Sequence, residues 1–385
     1  MDFELTMDQK MIRQLAVEFF EKEYPMEKTR ALMADPAGYD PKLWEKMVQL
    51  GHMGLIIPEV YGGSEGDLLE LALFVEEMGK QIVPSPFFTT VCQCVPALLA
   101  YGTEEQKKAR LPKIATRGEI WSLALNEQRG DFSPQDVRLS ATANGEGFVL
   151  NGTKLFVPYA GAADHLLVAA RMDPKGSCQD GITVFMVKAD APGIHISEIP
   201  TPAPGVKCEV RFDNAVVSRQ EILGAENAGW QIVEHILQYG GLLKAAEMSG
   251  GLQVALDLAL KYAKQRVQFD KPIISFQVIQ HDLVKMLIEV DNLKHLVYEA
   301  AWNISIDKPS RLLNSMAKAK ANDIYHRICF DAIGIHGAIG WTEEMDVSLY
   351  LLRSKDLEND CGGSDFHMEQ VARELERRDP DFLAI

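Results

Sequence analysis

The chain has 385 residues, 47% of them hydrophobic and 24% charged, which describes a globular protein with enough apolar surface for one large core or two to three smaller ones. A formal net charge of −16 repels phosphate backbones and anionic bilayer surfaces, so nucleic-acid binding is not expected. No apolar run reaches the roughly 18 residues that a membrane helix needs, so no membrane span is expected.

The opening MDFELTMDQK has neither a basic flank nor an apolar core, so no leader peptide is expected. Six cysteines, Cys92, Cys94, Cys178, Cys208, Cys329 and Cys361, are scattered, and Cys92-Gln-Cys94 has no metal or redox spacing. They are expected to be free, buried thiols in a reducing, cytoplasmic setting.

In chain order, helices come first. Thr6 and Gln9 have the capping-box spacing, and Met11, Ile12, Leu15, Phe19 and Phe20 follow near one helical face until Pro25. Helices are predicted over 42–50, 68–78 and 95–101, with a glycine-punctuated loop over 54–66. Thr103 and Gln106 open another helix, which Pro112 is expected to interrupt. From Trp121 the period changes to short strands, over 122–125, 166–170, 182–187, 194–198, 208–212 and 216–217, with turn residues between them. Asn151-Gly152, between Phe148–Leu150 and Thr153–Val157, predicts a hairpin. Long helices return over 229–264, 276–303 and 312–332. Gly240-Gly241 and Gly250-Gly251 interrupt the first of these, each marking either a close helix–helix approach or room for a flat or wide ligand. The fold class is therefore α+β in segregated blocks: an N-terminal helical domain (1–120), a middle β-barrel or sandwich domain (121–228) and a C-terminal helical bundle (229–385).

The most specific segments lie in the last third. Tyr262-Ala-Lys-Gln-Arg-Val-Gln-Phe-Asp-Lys-Pro-Ile273 is similar to the YAxxRxQFGxPI segment of the acyl-CoA dehydrogenase flavoprotein family, with Asp270 where glycine is usual. Gly334-Ile-His-Gly-Ala-Ile-Gly340 resembles the glycine-rich turn of one branch of that family, and Tyr61-Gly-Gly63, Leu125-Asn-Glu127 and Leu150–Phe156 fit more loosely. The likeness covers essentially the whole chain.

The resemblance implies FAD as cofactor, a CoA thioester as substrate and an electron-transfer flavoprotein as electron acceptor. It also implies a dimer of dimers, either a homo-oligomer or a heterotetramer with a related subunit. By position alone Arg266 would be a cation complementing a helix C-terminus; the resemblance makes it the partner of the FAD pyrophosphate, beside Phe269. Leu125, Asn126, Phe156 and Val157 align with segments lining the flavin ring, although Asn126 and Pro158 replace the usual threonines. Gly334 and Gly337 align with a turn whose amides reach the FAD of a neighbouring subunit, and Ser364 belongs to the Gly-Ser pair of the catalytic loop.

One expected residue is missing. Members of the family take the α-proton with a glutamate just before that Gly-Thr/Ser pair or on the long helix after the β-domain. Here those places fall at Cys361 or Gly362 and near Gly240-Gly241, none a carboxylate. Asp360 and Asp365 are the displaced acids nearest the slot, and Glu358 is a third. Three readings follow: an enzyme using a displaced acid, a base-less subunit whose partner supplies the glutamate for a bulky or cyclic acyl-CoA, and a chain that binds flavin or CoA without catalysing alone.

Overall fold

The computed structural model describes residues 4–33, 35–145, 147–172 and 179–378. In chain order the helices α1 (Met7–Glu23), α2 (Met26–Leu32), α3 (Pro41–Gln49), α4 (Leu68–Lys80), α5 (Val95–Tyr101) and α6 (Glu104–Arg117) come first. The strands β1 (Trp121–Ala124), β2 (Ser140–Asn144), β3 (Gly147–Pro158), β4 (His165–Arg171), β5 (Ile182–Lys188), β6 (Ile194–Ile199), β7 (Lys207–Ser218) and β8 (Ile222–Leu223) follow. Then come α7 (Gly229–Gln265), the short strands β9 (Val267–Gln268) and β10 (Lys271–Pro272), α8 (Gln277–Ser305), α9 (Arg311–His336), α10 (Val347–Glu358) and α11 (Ser364–Arg378).

The chain forms two compact units, one from Met1–Arg30, Asp67–Val83 and Gly241–Ile385, the other from Ala31–Gly66 and Pro84–Gly240. In the second unit eight strands make one sheet in the order β6-β7-β3-β2-β4-β5-β8, and β1 pairs in parallel with β4. Alternate residues such as Phe148 and Leu150, Leu166 and Val168, and Val210 and Phe212 point into one core, as period 2 requires when one face is buried. In the first unit α4 is buried almost all round, because apolar side chains occupy every face of LLELALFVEEMGK. Glycines set its contact with α7: a β-carbon on Gly79 would meet the Glu247 carbonyl oxygen at 1.9 Å, and one on Gly250 would meet that of Glu76 at 1.9 Å. Gly250, and Gly251 against the Tyr325 hydroxyl, are thus packing glycines.

The capping boxes at Thr6 and Thr103 form as read. Four expectations need correction. Pro112 lies inside α6 without interrupting it. Asn151-Gly152 is no hairpin turn: β3 runs through it, with a register shift against β7 between Leu150 and Gly152. The Asn151 side chain bonds Asn214 on β7, so the pair serves an irregularity rather than a chain reversal. The strands expected over 208–212 and 216–217 are one strand, β7. The helices α2, α10 and α11 and a π-helical turn over Phe88–Cys94 were not anticipated. Cys92, Cys94, Cys208, Cys329 and Cys361 are buried free thiols, and Cys178 lies outside the described residues. Among the described residues no helix is long and apolar enough to cross a membrane, and no group of acids, histidines and cysteines could hold a metal ion.

Candidate functional site

In the sheet unit the structure brings Leu125 and Asn126 together with Phe156 and Val157. The Leu155 amide donates to the Asn126 carbonyl at 2.8 Å. Lys154, fully buried, donates to the Leu125 carbonyl at 3.0 Å and to Glu127 Oε1 at 2.7 Å. Burial pushes the Lys154 pKa down, and the Glu127 charge opposes that shift. The register of β3 against β7 shifts between Lys154 and Val157, and inside that bulge Phe156 has φ 54°. A left-handed aromatic residue is a strained outlier, and this one holds its ring half exposed while Val157 turns into the core.

In the helical unit Arg266 follows the last residue of α7 and is exposed, and among the described residues its guanidinium has no ion pair. Phe269 and Asp270 are the two central residues of the β9–β10 hairpin, with φ 52° and 62°, the positive-φ pair of a type I′ turn. Phe269 is 86% exposed. Tyr262, one turn before Arg266, stacks on His336 with ring centroids 4.4 Å apart, which joins the end of α7 to the end of α9. Gly337 closes α9 with φ 69°. A β-carbon on Gly334 or Gly337 would meet nothing within 4 Å, whereas one on Gly340 would strike His336. Gly340 therefore packs, while Gly334 and Gly337 leave bare backbone facing open space. An unpaired planar cation and an open glycine backbone fit a flat, phosphate-bearing cofactor such as FAD.

The loop around Cys361 and Gly362 also lies within this unit. The α10–α11 connection puts Cys361 at φ 59° and Gly362 at φ 111°. Both face His367 of α11, which is 1% exposed. His367 Nε2 lies 3.0 Å from the Cys361 carbonyl. A carbonyl can only accept, so the proton sits on Nε2. Nδ1 is buried without a partner. Burial, with Lys318 nearby, lowers the His367 pKa to about 3, so the ring is neutral. A β-carbon on Gly362 would meet Phe366 Cδ1 at 2.5 Å and His367 Nε2 at 2.8 Å, and one on Gly241 would meet His367 Cε1 at 3.2 Å. Gly241 and Gly362 thus converge on one imidazole.

Two buried lysines hold the loop. Lys318 Nζ donates to Asn322 Oδ1 at 2.5 Å and to the carbonyls of Leu357, Glu358 and Gly362 at 3.0, 3.1 and 3.3 Å. It satisfies the end of α10, where carbonyls lack helical partners. Lys244 donates to Glu247 Oε2 at 2.7 Å and lies 3.6 Å from Asp360 Oδ2. Glu247 also accepts from Arg353 at 2.5 Å, and despite the burial that would raise it, these two cations hold its pKa below the usual range. Glu247 is thus committed to an ion-pair network, while Asp360 is tethered at the edge of the slot. Asp365 is exposed in the first turn of α11, where an acid complements the helix dipole, and Ser364 begins that helix.

Reading the sequence missed His367, Lys318, Lys244 and Lys154. Lys244 carried a usable signal, a lone lysine within an apolar helical stretch, whereas Lys318, two residues from Lys320, did not stand out. His367 carried none, because its importance comes from two distant glycines.

The N-terminal domain family of acyl-CoA dehydrogenases matches residues 6–118, the middle-domain family residues 122–215 and the C-terminal-domain family residues 227–376. The chain is 33% identical over 382 residues to the probable acyl-CoA dehydrogenase YngJ of Bacillus subtilis, covering 97% of this chain and 100% of that protein. It is 30% identical over 384 residues to the acryloyl-CoA reductase (NADH) of Anaerotignum propionicum, covering 98% and 97%. Among solved structures, butyryl-CoA dehydrogenase from Megasphaera elsdenii is similar with a TM-score of 0.91 at 30% identity, over 97% of this chain and 100% of that one. PigA with FAD and proline is similar with a TM-score of 0.90 at 25% identity, over 98% and 100%. A chain of the ChsE4–ChsE5 complex from Mycobacterium tuberculosis gives 0.88 at 26%, over 97% and 99%.

Proposed function

This chain belongs to the acyl-CoA dehydrogenase family, and from that premise we propose that it is an FAD-dependent oxidoreductase of acyl-CoA thioesters whose α-proton is taken by neither family glutamate. One observation supports this: His367, neutral and buried, packs against both Gly241 and Gly362, and the resemblance puts the two family base positions at Gly240-Gly241 and at Cys361 or Gly362. FAD, when bound, supplies the hydride acceptor. In the helical unit Arg266 would hold its pyrophosphate, a role suited to a planar guanidinium, and Phe269 would flank it. In the sheet unit, taken by itself, Leu125, Asn126, Phe156 and Val157 would line a flavin ring. Gly334 and Gly337, exposed and without side chains, would let the cofactor of a neighbouring subunit approach the end of α9, where the Gly337 amide already closes the helix, and Ser364 would be a cofactor contact at the start of α11.

Proton transfer then falls to a displaced carboxylate. Asp360 is the acid of the slot, held near Lys244, and a fixed base is what α-proton abstraction needs. Asp365, exposed on α11, is the second choice. Net turnover runs as dehydrogenation or reduction according to the electron partner, an electron-transfer flavoprotein in the first case. A bulky or cyclic acyl group is proposed from the resemblance alone, since His367 occupies the space beside Gly241 and Gly362.

The crowding at Gly362 favours a second reading, a base-less subunit of a heterotetramer whose partner chain supplies the glutamate. Purifying the chain alone and titrating it anaerobically with linear and cyclic acyl-CoA separates the two. A yellow protein whose flavin band is bleached, and no longer bleached in Asp360→Asn, supports the stand-alone enzyme. Bleaching only after a second polypeptide is added supports the heteromer, and a chain that takes up no FAD sinks both.

A further inference from the structure

An ammonium inside a β-sheet core is costly unless it is paired, and even a paired one stabilises a fold little compared with apolar packing. Lys154 is nevertheless fully buried in the middle of β3. Its partners account for it. Lys154 Nζ reaches across to the chain leaving β1, at the Leu125 carbonyl and the Glu127 carboxylate. Glu127 Oε1 also accepts from the amides of Arg138 and Leu139, both at 3.0 Å, where the chain enters β2. A single carboxylate oxygen therefore carries three donors from two separate segments. The joint is closed on either side, by Leu155 N to Asn126 O at 2.8 Å and by Ser122 Oγ to Pro158 O at 2.5 Å. Directly after Lys154 the strand bulges and Phe156 takes its strained left-handed conformation, half exposed.

We infer that Lys154 and Glu127 are positioning residues for the flavin face: their ion pair locks 125–127 against the bulge at 155–157, so that Asn126 and Phe156 meet the ring at a fixed spacing. This rests on the assignment of those two segments to FAD made above. A pair that only stabilised the fold would change the melting temperature and leave the bound flavin alone. A pair that positions the segments changes the flavin itself, because a displaced first contact weakens binding and alters the polarity around the ring.

The test titrates full-length protein with FAD, following absorbance and fluorescence well below each protein's melting midpoint. Lys154→Met removes the ammonium. Glu127→Gln keeps an oxygen for the amides of Arg138 and Leu139 and removes only the charge pair, so it decides the matter if the methionine variant does not fold. Relative to wild type, the Kd for FAD is expected to rise about tenfold in Lys154→Met and about fivefold in Glu127→Gln, with a shifted flavin absorbance band in both. Folded variants with a Kd within about threefold of wild type and an unshifted band overturn the inference. If the wild-type chain takes up no FAD, the flavin assignment fails first, and that outcome is read from wild type alone.

Discussion

Gly362 and His367 cannot both carry side chains of ordinary size in this backbone: a β-carbon on Gly362 would lie 2.8 Å from Nε2 of His367. The positive φ of 111° adds strain for any residue but glycine. Gly362→Glu, which would put a glutamate at one of the proposed base positions, is therefore expected to destabilise the protein by roughly 2–4 kcal/mol and to give no dehydrogenation. Adding His367→Ala should recover part of that loss, since the imidazole is one of the two obstructing groups. Thermal melts of the single and double variants check this, and a single variant as stable as wild type would show that the loop moves aside freely.

Asp270 occupies a left-handed position in the hairpin beside Arg266, with φ 62°. Aspartate tolerates that conformation better than most residues, but glycine adopts it without a β-carbon penalty. Asp270→Gly is expected to stabilise the chain by about 0.5–1 kcal/mol, read as a small rise in melting temperature. Asp270→Val, β-branched at the same place, should lower it.

The protein should lose stability as pH falls below neutrality. His367 has a folded pKa of about 3 against an ordinary value of 6.5, so between these pH values the unfolded chain binds a proton that the fold refuses. Its contribution is fully present above pH 6.5 and is lost as pH falls toward 3; by pH 5 the loss is roughly 2 kcal/mol. His52 and His165, each lowered to about 4 mainly by burial, add losses of the same sign. Denaturant titrations at pH 7 and pH 5 should show a smaller pH effect in His367→Asn than in wild type, and equal slopes would exclude His367 as a contributor.

Arg266 offers a clean separation of binding from folding. With no ion pair to lose among the described residues, Arg266→Ala should leave stability within about 0.5 kcal/mol of wild type. Its affinity for FAD should fall about tenfold to a hundredfold, the scale of charge-assisted hydrogen bonds to a pyrophosphate. Arg266→Lys should fall between, because an ammonium keeps the charge without the fork. Isothermal titration with FAD decides it, and unchanged affinity in the alanine variant would remove Arg266 from the cofactor site.

Local physics was legible in the chain. Capping boxes at Thr6 and Thr103, the 3.6-residue period of α8 and the short apolar strands around Leu166 and Ile182 depend on neighbours within a few residues, so the order of residues alone determines them. The same holds for the family likeness. The structure decided what a local pattern leaves open. Asn151-Gly152 has the composition of a hairpin turn but lies within one strand at a shift of register, where Asn214 on another strand bonds Asn151. Gly250 and Gly241 look alike in sequence. Only packing shows that the first admits a helix while the second faces His367, a residue 126 positions later in the chain that no periodicity connects to it. Sequence therefore determined which groups are available, and tertiary contact determined which of them are satisfied, crowded or left open, since each of those conditions depends on atoms brought together from distant parts of the chain.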